Sequence, residues 1–212
     1  MTSSGVTINA DNAIKNFKGF ILKNGQDSID IAAGNGATGG NFGPIPGGTY
    51  MGKASSGTIS GQWRPVGKQV VNDAYTGTAP VMQNTRGFYV GDVVTAYDVS
   101  GSTTLYTGRT ITDINRTTGA MTISGASQAY EVGDYIYVQD GSATAKGVLD
   151  ESGADTYRGR DINGNQRFAT TGGTMVYRGV MDETITNANQ TLNTYIKADL
   201  QTVANGCDIL FR

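Results

Sequence analysis

Apolar residues in this chain fall mostly in short runs that alternate with polar ones, the period of half-buried β-strands. The clearest case is Thr110 to Ser124, which reads as two strands joined by a polar turn, with Met121 and Ile123 alternating against Thr122 and Ser124. An internal echo brackets it. Val90-Gly91-Asp92, leading into Val93 to Asp98, recurs as Val132-Gly133-Asp134, leading into Tyr135 to Asp140, 42 positions later. In both copies a Gly-Asp turn feeds a strand, so residues 88–140 are predicted to form a small β-barrel or curled sheet inserted into the rest of the chain. Only one stretch has a helical period. From Asn189 to Ala204, residues Leu192, Ile196, Leu200 and Val203 share one face, with Asn189 as the expected N-cap and Gly206 as the expected stop.

The two flanks of the insertion differ from each other. Residues 1–42 carry two small apolar groups, Val6 and Ile8, then Ile14, Phe17, Phe20, Ile21 and Leu22, ahead of a Gly-rich connector from Gly34 to Gly43. Such a segment is too short and too sparsely apolar to build its own core, so it is predicted to be an extended arm that packs on the body or on another chain. Residues 43–87 and 141–212 then form two halves of one discontinuous body. They contain Pro44 to Lys53, the segment around Trp63-Arg64-Pro65, Ala145 to Leu149, Thr174 to Met181, the helix, and a closing strand Cys207 to Phe211. The expected fold class is mainly β, of α+β type, with one C-terminal helix.

Composition supports that pattern and removes whole classes of chemistry. The 31 glycines in 212 residues suit many short strands joined by tight turns. With no histidine, a Ser-His-Asp or Cys-His nucleophile and a His-ligated zinc cannot be built within one chain. Cys207, the one cysteine, cannot form an internal disulfide or a thiolate cage and is expected to be a small buried apolar residue of a reducing compartment. Sixteen Lys and Arg against 18 Asp and Glu leave a net charge of -2 and no basic stretch, so nucleic acid is not an expected partner. No apolar run reaches the length of a membrane helix, and the N-terminus lacks a basic start and an apolar core. A soluble chain outside the general secretory route is expected, with no membrane partner.

Several motifs imitate chemistry. Gly47 to Lys53 satisfies the spacing of a phosphate-cradling loop, yet Ala54 cannot supply the magnesium-binding hydroxyl and no helix pattern follows, so a hairpin turn is the better reading. Gly34, Gly36 and Gly39 have dinucleotide-loop spacing but run into Gly40 to Pro44, which cannot start a helix. Asp150, Glu151, Asp155, Asp182 and Glu183 are clustered carboxylates beside Gly, Ser or Thr, the setting of solvated turns rather than of a glycosidase pair. Asp161 to Asn165 resembles a calcium loop with its glycine misplaced. Asp92 and Asp134 are expected to bond their own turn backbone. Trp63 could stack on a sugar, although core or interface is the commoner use. No catalytic, cofactor or metal site is expected.

Gly48-Thr-Tyr-Met-Gly-Lys53, then Trp63-Arg64-Pro65, Ala145-Lys-Gly-Val-Leu149 and the stretch from Leu200 to Leu210 resemble, in their order, the lambda-like head decoration proteins of tailed bacteriophages. The resemblance covers the discontinuous body, and the insertion departs from the short members of that family. It implies a non-enzymatic virion protein without cofactors that sits on the outer surface of an expanded capsid as a homotrimer at three-fold positions and locks neighbouring copies of the major capsid protein, after assembly in the host cytoplasm. It also implies that the arm, through Val6, Ile8, Ile14, Phe17, Phe20 and Ile21, adds to a strand of the shell. Candidate trimer residues are Met175 and Tyr177 on one strand, or Ile209 and Phe211 on the last. The alternative is a tail, baseplate or receptor-binding module whose barrel binds host glycan; a carboxylate-dependent hydrolase of surface sugars is a further possibility.

Overall fold

The computed structural model describes residues 20–32, 48–57, 59–149, 170–181 and 193–211, with side chains from residue 48 onward except for 170–173. The chain is mainly β. Its first strands are β1 (Phe20–Ala32), β2 (Tyr50–Lys53) and β3 (Trp63–Pro65). There follow β4 (Lys68–Val70), β5 (Tyr75–Gly77), β6 (Val93–Tyr97), β7 (Thr104–Asn115), β8 (Ala120–Ile123), β9 (Gln128–Tyr130) and β10 (Tyr135–Val138). The chain then returns through β11 (Gly147–Leu149), β12 (Thr170–Met181), helix α1 (Thr194–Leu200) and β13 (Asp208–Phe211).

The body is one sheet in the order β1-β3-β2-β11-β12-β13, and β1 also pairs with β12, so five of its strands close into a ring. One edge of β12 carries β1 antiparallel from Phe20 opposite Met181 to Ala32 opposite Thr170; the other edge carries β11 and then β13, the latter parallel. Helix α1 connects β12 to β13 and seats Ile196 and Leu200 in a core with Tyr50, Val66, Val148, Val176 and Ile209.

The second sheet has the order β4-β10-β6-β7-β8. Its edges are joined by residues 78–83: Asn72 N–H donates to the Val81 carbonyl at 2.8 Å on one side, and Met121 N–H to the Pro80 carbonyl at 3.0 Å on the other. The resulting small barrel encloses Val71, Phe88, Val94, Ile111, Ile114, Met121, Ile123 and Ile136. Met121 and Ile123 point inward between Thr122 and Ser124, because the odd positions of β8 face this core.

Three elements differ from the sequence expectation. Residues 20–32 are not separate from the body: Phe20, Ile21 and Leu22 lie in β1, whose long ladder with β12 supplies the partner that the polar stretch Lys23 to Ser28 could not advertise. The barrel draws in β4 and β5 from the stretch assigned to the body, since β4 is the neighbour of β10 and β5 the neighbour of β9. The described helix starts at Thr194, where the Asn193 side chain accepts from Ile196 N–H at 2.9 Å. It ends at Leu200, so Val203, expected on the apolar face, falls in a short 3-10 turn and is 68% exposed. Gly206, at φ 79°, closes that turn.

Candidate functional site at the junction of barrel and body

The repeated Val-Gly-Asp turns are built alike. Gly91 and Gly133 have φ of 96° and 97°, values an L side chain resists. In each, the aspartate carboxylate accepts from the N–H three residues before it, Tyr89 to Asp92 at 2.7 Å and Glu131 to Asp134 at 2.8 Å. The backbone pairing matches as well. Gly91 N–H donates to the Ile111 carbonyl and Ile111 N–H to the Asp92 carbonyl, while Val71 plays the same double part for Gly133 and Asp134. Since β6 and β10 run antiparallel, the two turns sit at opposite ends of the barrel. At the far end the second oxygen of Asp134 accepts from Val99 N–H at 2.8 Å. At the near end the second oxygen of Asp92 faces the body.

What it meets is Arg64 of β3, whose side chain is 0% exposed. Nη1 donates to Asp92 Oδ1 at 2.9 Å and to Asp140 Oδ2 at 3.2 Å. Nη2 donates to the Gly87 carbonyl at 2.7 Å and to Asp92 Oδ2. The guanidinium lies 3.8 Å from the centre of the Tyr89 ring. Burial alone would lower the Arg64 pKa, but the Asp92 hydrogen bond and charge, with Tyr89 and Asp140, reverse it and raise the net value. Burial also pushes the Tyr89 phenol up to about 12. A second arginine, Arg116, holds the same loop from the barrel side, donating to the Thr85 carbonyl at 2.7 Å and the Phe88 carbonyl at 2.9 Å; burial brings its pKa down to about 10. Entry and exit of the barrel lie side by side, with Gly67 N–H 3.4 Å from the Ser142 carbonyl.

An open cleft of about 460 Å³ lies over this junction, lined by Ser56, Gly57, Ile59, Asp92, Val93, Gln139 and Asp140. Both carboxylates are engaged on their inner side by Arg64, and Asp140 also accepts from Ser142 N–H at 2.8 Å. The chemistry available here is therefore charge-assisted clamping: a buried cation from the body fixes the start of β6 and the end of β10, which lie together at one end of the barrel. Among the described residues no three His, Cys, Asp or Glu gather as a metal site.

Of the candidates taken from the sequence, Val6, Ile8, Ile14 and Phe17 lie outside the described residues, as do Asp150, Glu151, Asp155, Asp182, Glu183 and the Asp161 to Asn165 loop. Phe20 and Ile21 are in β1. Met175 and Ile209 are buried in the chain's own core, which leaves their side chains no surface for a second copy; Tyr177 and Phe211 are half-buried and keep some. Residues 50–53 of the phosphate-loop imitation are strand β2, with Lys53 over the Trp63 ring at 5.8 Å, and Trp63 packs beside Met51, Leu149 and Met175. Cys207 is buried, its thiol pushed up to about 12. Arg64 stood in the sequence only as the middle of Trp-Arg-Pro. An arginine between an aromatic and a proline in a strand was the available signal, but its partners are 28 and 76 positions away. Comparison with protein-family models, with curated proteins and with solved structures finds no match to this chain.

Proposed function

We propose that this chain is a structural virion protein that binds the outside of an expanded phage capsid as a trimer at three-fold positions and stabilises the shell. The observation that carries the reading is the meeting of the segments on which the family resemblance rests. Gly48 to Lys53, Trp63 to Pro65, Gly147 to Leu149 and the C-terminal strand are scattered over the chain, yet β2, β3, β11 and β13 belong to one sheet. A shell clamp has to transmit force without opening, and the Arg64 cluster suits that need by tying barrel to body through a buried bidentate pair. With β1 committed to β12, the shell-binding part of the arm is assigned to the residues ahead of it, where Val6 and Ile8 have the alternation of an added strand. Tyr177 and Phe211 are the trimer residues retained.

The test is co-sedimentation of the purified chain with empty capsids before and after expansion. Saturable binding at a fixed number of copies per expanded shell is expected. Absence of binding to either form would remove the proposal.

A further inference from the structure

Helix α1 is short, yet two of its faces are in use. Ile196 and Leu200 point into the body core, and Tyr195 and Asp199, also four positions apart, share a second face. That face meets the barrel. The Tyr195 ring lies 4.5 Å from the ring of Tyr135 on β10, centre to centre, at a tilt of 41°. Lys68 of β4 joins the contact from the barrel, with Nζ 4.7 Å from the Tyr195 ring and 5.6 Å from that of Tyr135. The Asp199 carboxylate accepts at 3.1 Å from the N–H of Ala145, on the segment by which the chain leaves the barrel, and its charge draws Lys68. The contact seals no core: Tyr195, Lys68 and Tyr135 are all half-buried, on the outer side of a wall whose Ile136 fills the barrel.

The barrel therefore has two supports on the body, in different places. The Arg64 cluster holds its end, through Gly87, Asp92 and Asp140. The Tyr195 contact holds its side, because Tyr135 is three positions from Val138 on β10, about 10 Å along an extended strand. A support at the end alone fixes where the barrel sits, and a second one displaced along the wall fixes its tilt. The supports also differ in kind. The Arg64 side chain has no exposed surface, and a buried ion pair broken from one side costs more than a half-buried ring pair or a cation over a ring.

We infer that Tyr195 of α1, with Lys68, is a latch that sets the tilt of the barrel on the body, and that with the latch open the barrel rocks about the Arg64 end. The latch is the weaker support and opens first. The inference stands on different residues from the capsid reading and does not depend on it.

Residual dipolar couplings of the backbone amides, measured on the full chain in a dilute aligning medium, report the orientation and order of barrel and body separately. One alignment tensor is expected to fit both units of the native chain. Tyr195→Ala should lower the order of the barrel relative to the body, while the couplings within each unit still fit its own structure. Lys68→Ala reads the same contact from the barrel and should act in the same direction, which keeps the test sound if loss of Tyr195 disturbs α1. Tyr195→Phe keeps the ring and should behave as the native chain. One shared tensor in Lys68→Ala, and in Tyr195→Ala where it folds, overturns the inference. Separate tensors in the native chain, or decoupling by Tyr195→Phe as well, would equally overturn it.

Discussion

Arg64 and Asp92, 28 positions apart in the chain, form a bidentate ion pair in which Nη1 donates to Oδ1 at 2.9 Å and Nη2 to Oδ2. One partner comes from the body sheet and the other from the turn that leads into β6 of the barrel. A guanidinium with no exposed surface cannot be left alone, because a buried unpaired cation is far costlier than the pair. The relationship therefore makes each unit a condition for the other.

Arg64→Ala is expected to lower unfolding free energy by about 3–5 kcal/mol, the usual cost of breaking a buried pair from one side. Arg64→Lys should recover only part of this, since a point charge cannot serve both oxygens of Asp92 and the Gly87 carbonyl in one plane. Urea unfolding measures both. A loss below about 1 kcal/mol for the alanine variant, the range of a surface pair, would contradict the buried clamp.

The two Gly-Asp turns separate structure from clamp. Asp134→Ala removes the acceptor of the Glu131 and Val99 N–H groups, and each hydrogen bond lost costs about 0.5–1.5 kcal/mol. Asp92→Ala removes an equivalent turn acceptor and also strands Arg64, so it should destabilise more than its twin. Equal losses in matched denaturation curves would mean that Arg64 contributes nothing beyond the turn.

Excision shows where the barrel begins. Replacing residues 88–140 with a short link leaves β4 without β10, β5 without β9 and Arg64 without either aspartate, and should abolish cooperative unfolding. Cutting instead from Gly67 to Gly141, with Arg64→Met, joins ends that already lie side by side and should restore a single transition. Calorimetry on the two deletions decides between these boundaries.

Alkali should unfold the chain by a definable route. Burial pushes the Tyr50 phenol and, despite the Arg64 charge, the Tyr89 phenol up to about 12, and the Cys207 thiol to about 12; Tyr106 is raised further. In the unfolded chain these groups ionise at roughly 10 for phenol and 8.5 for thiol. Between those values and about 12 the folded state holds protons that the unfolded state has released, so stability falls as pH rises through this window and is fully present below it. Absorbance at the phenolate band should rise in two phases, the later coinciding with loss of circular dichroism. One early phase with the fold intact would contradict the burial of Tyr50 and Tyr89.

How much of this could be read from the sequence follows from the range of each interaction. The Met121 and Ile123 alternation and the Gly91-Asp92 and Gly133-Asp134 turns are local, and the sequence displays them directly. The ends of β4 and β5 were hidden because each has only three residues, with Lys68 and Gln69 prominent, and acquires its identity from strands near residues 130 and 136. β1 looked like an arm because its middle, Lys23 to Ser28, is polar, and its partner β12 is about 150 positions away by register. Val203 keeps the helical period of Ile196 and Leu200, but the extended backbone at Thr202 ends the helix before it. Arg64 was opaque for the same reason as β1: nothing within its own segment reveals a buried charge whose counter-ions arrive from far along the chain.

The capsid proposal is tested most directly by imaging expanded shells after saturation with the purified chain and counting copies at each symmetry position. Three copies around each three-fold and quasi-three-fold axis are expected, with density for the barrel held at a fixed angle to the body, and removal of residues 1–19 should lower that occupancy while leaving the melting temperature nearly unchanged. Empty three-fold positions after saturation, or a tight dimer in solution that never engages the shell, would contradict the account.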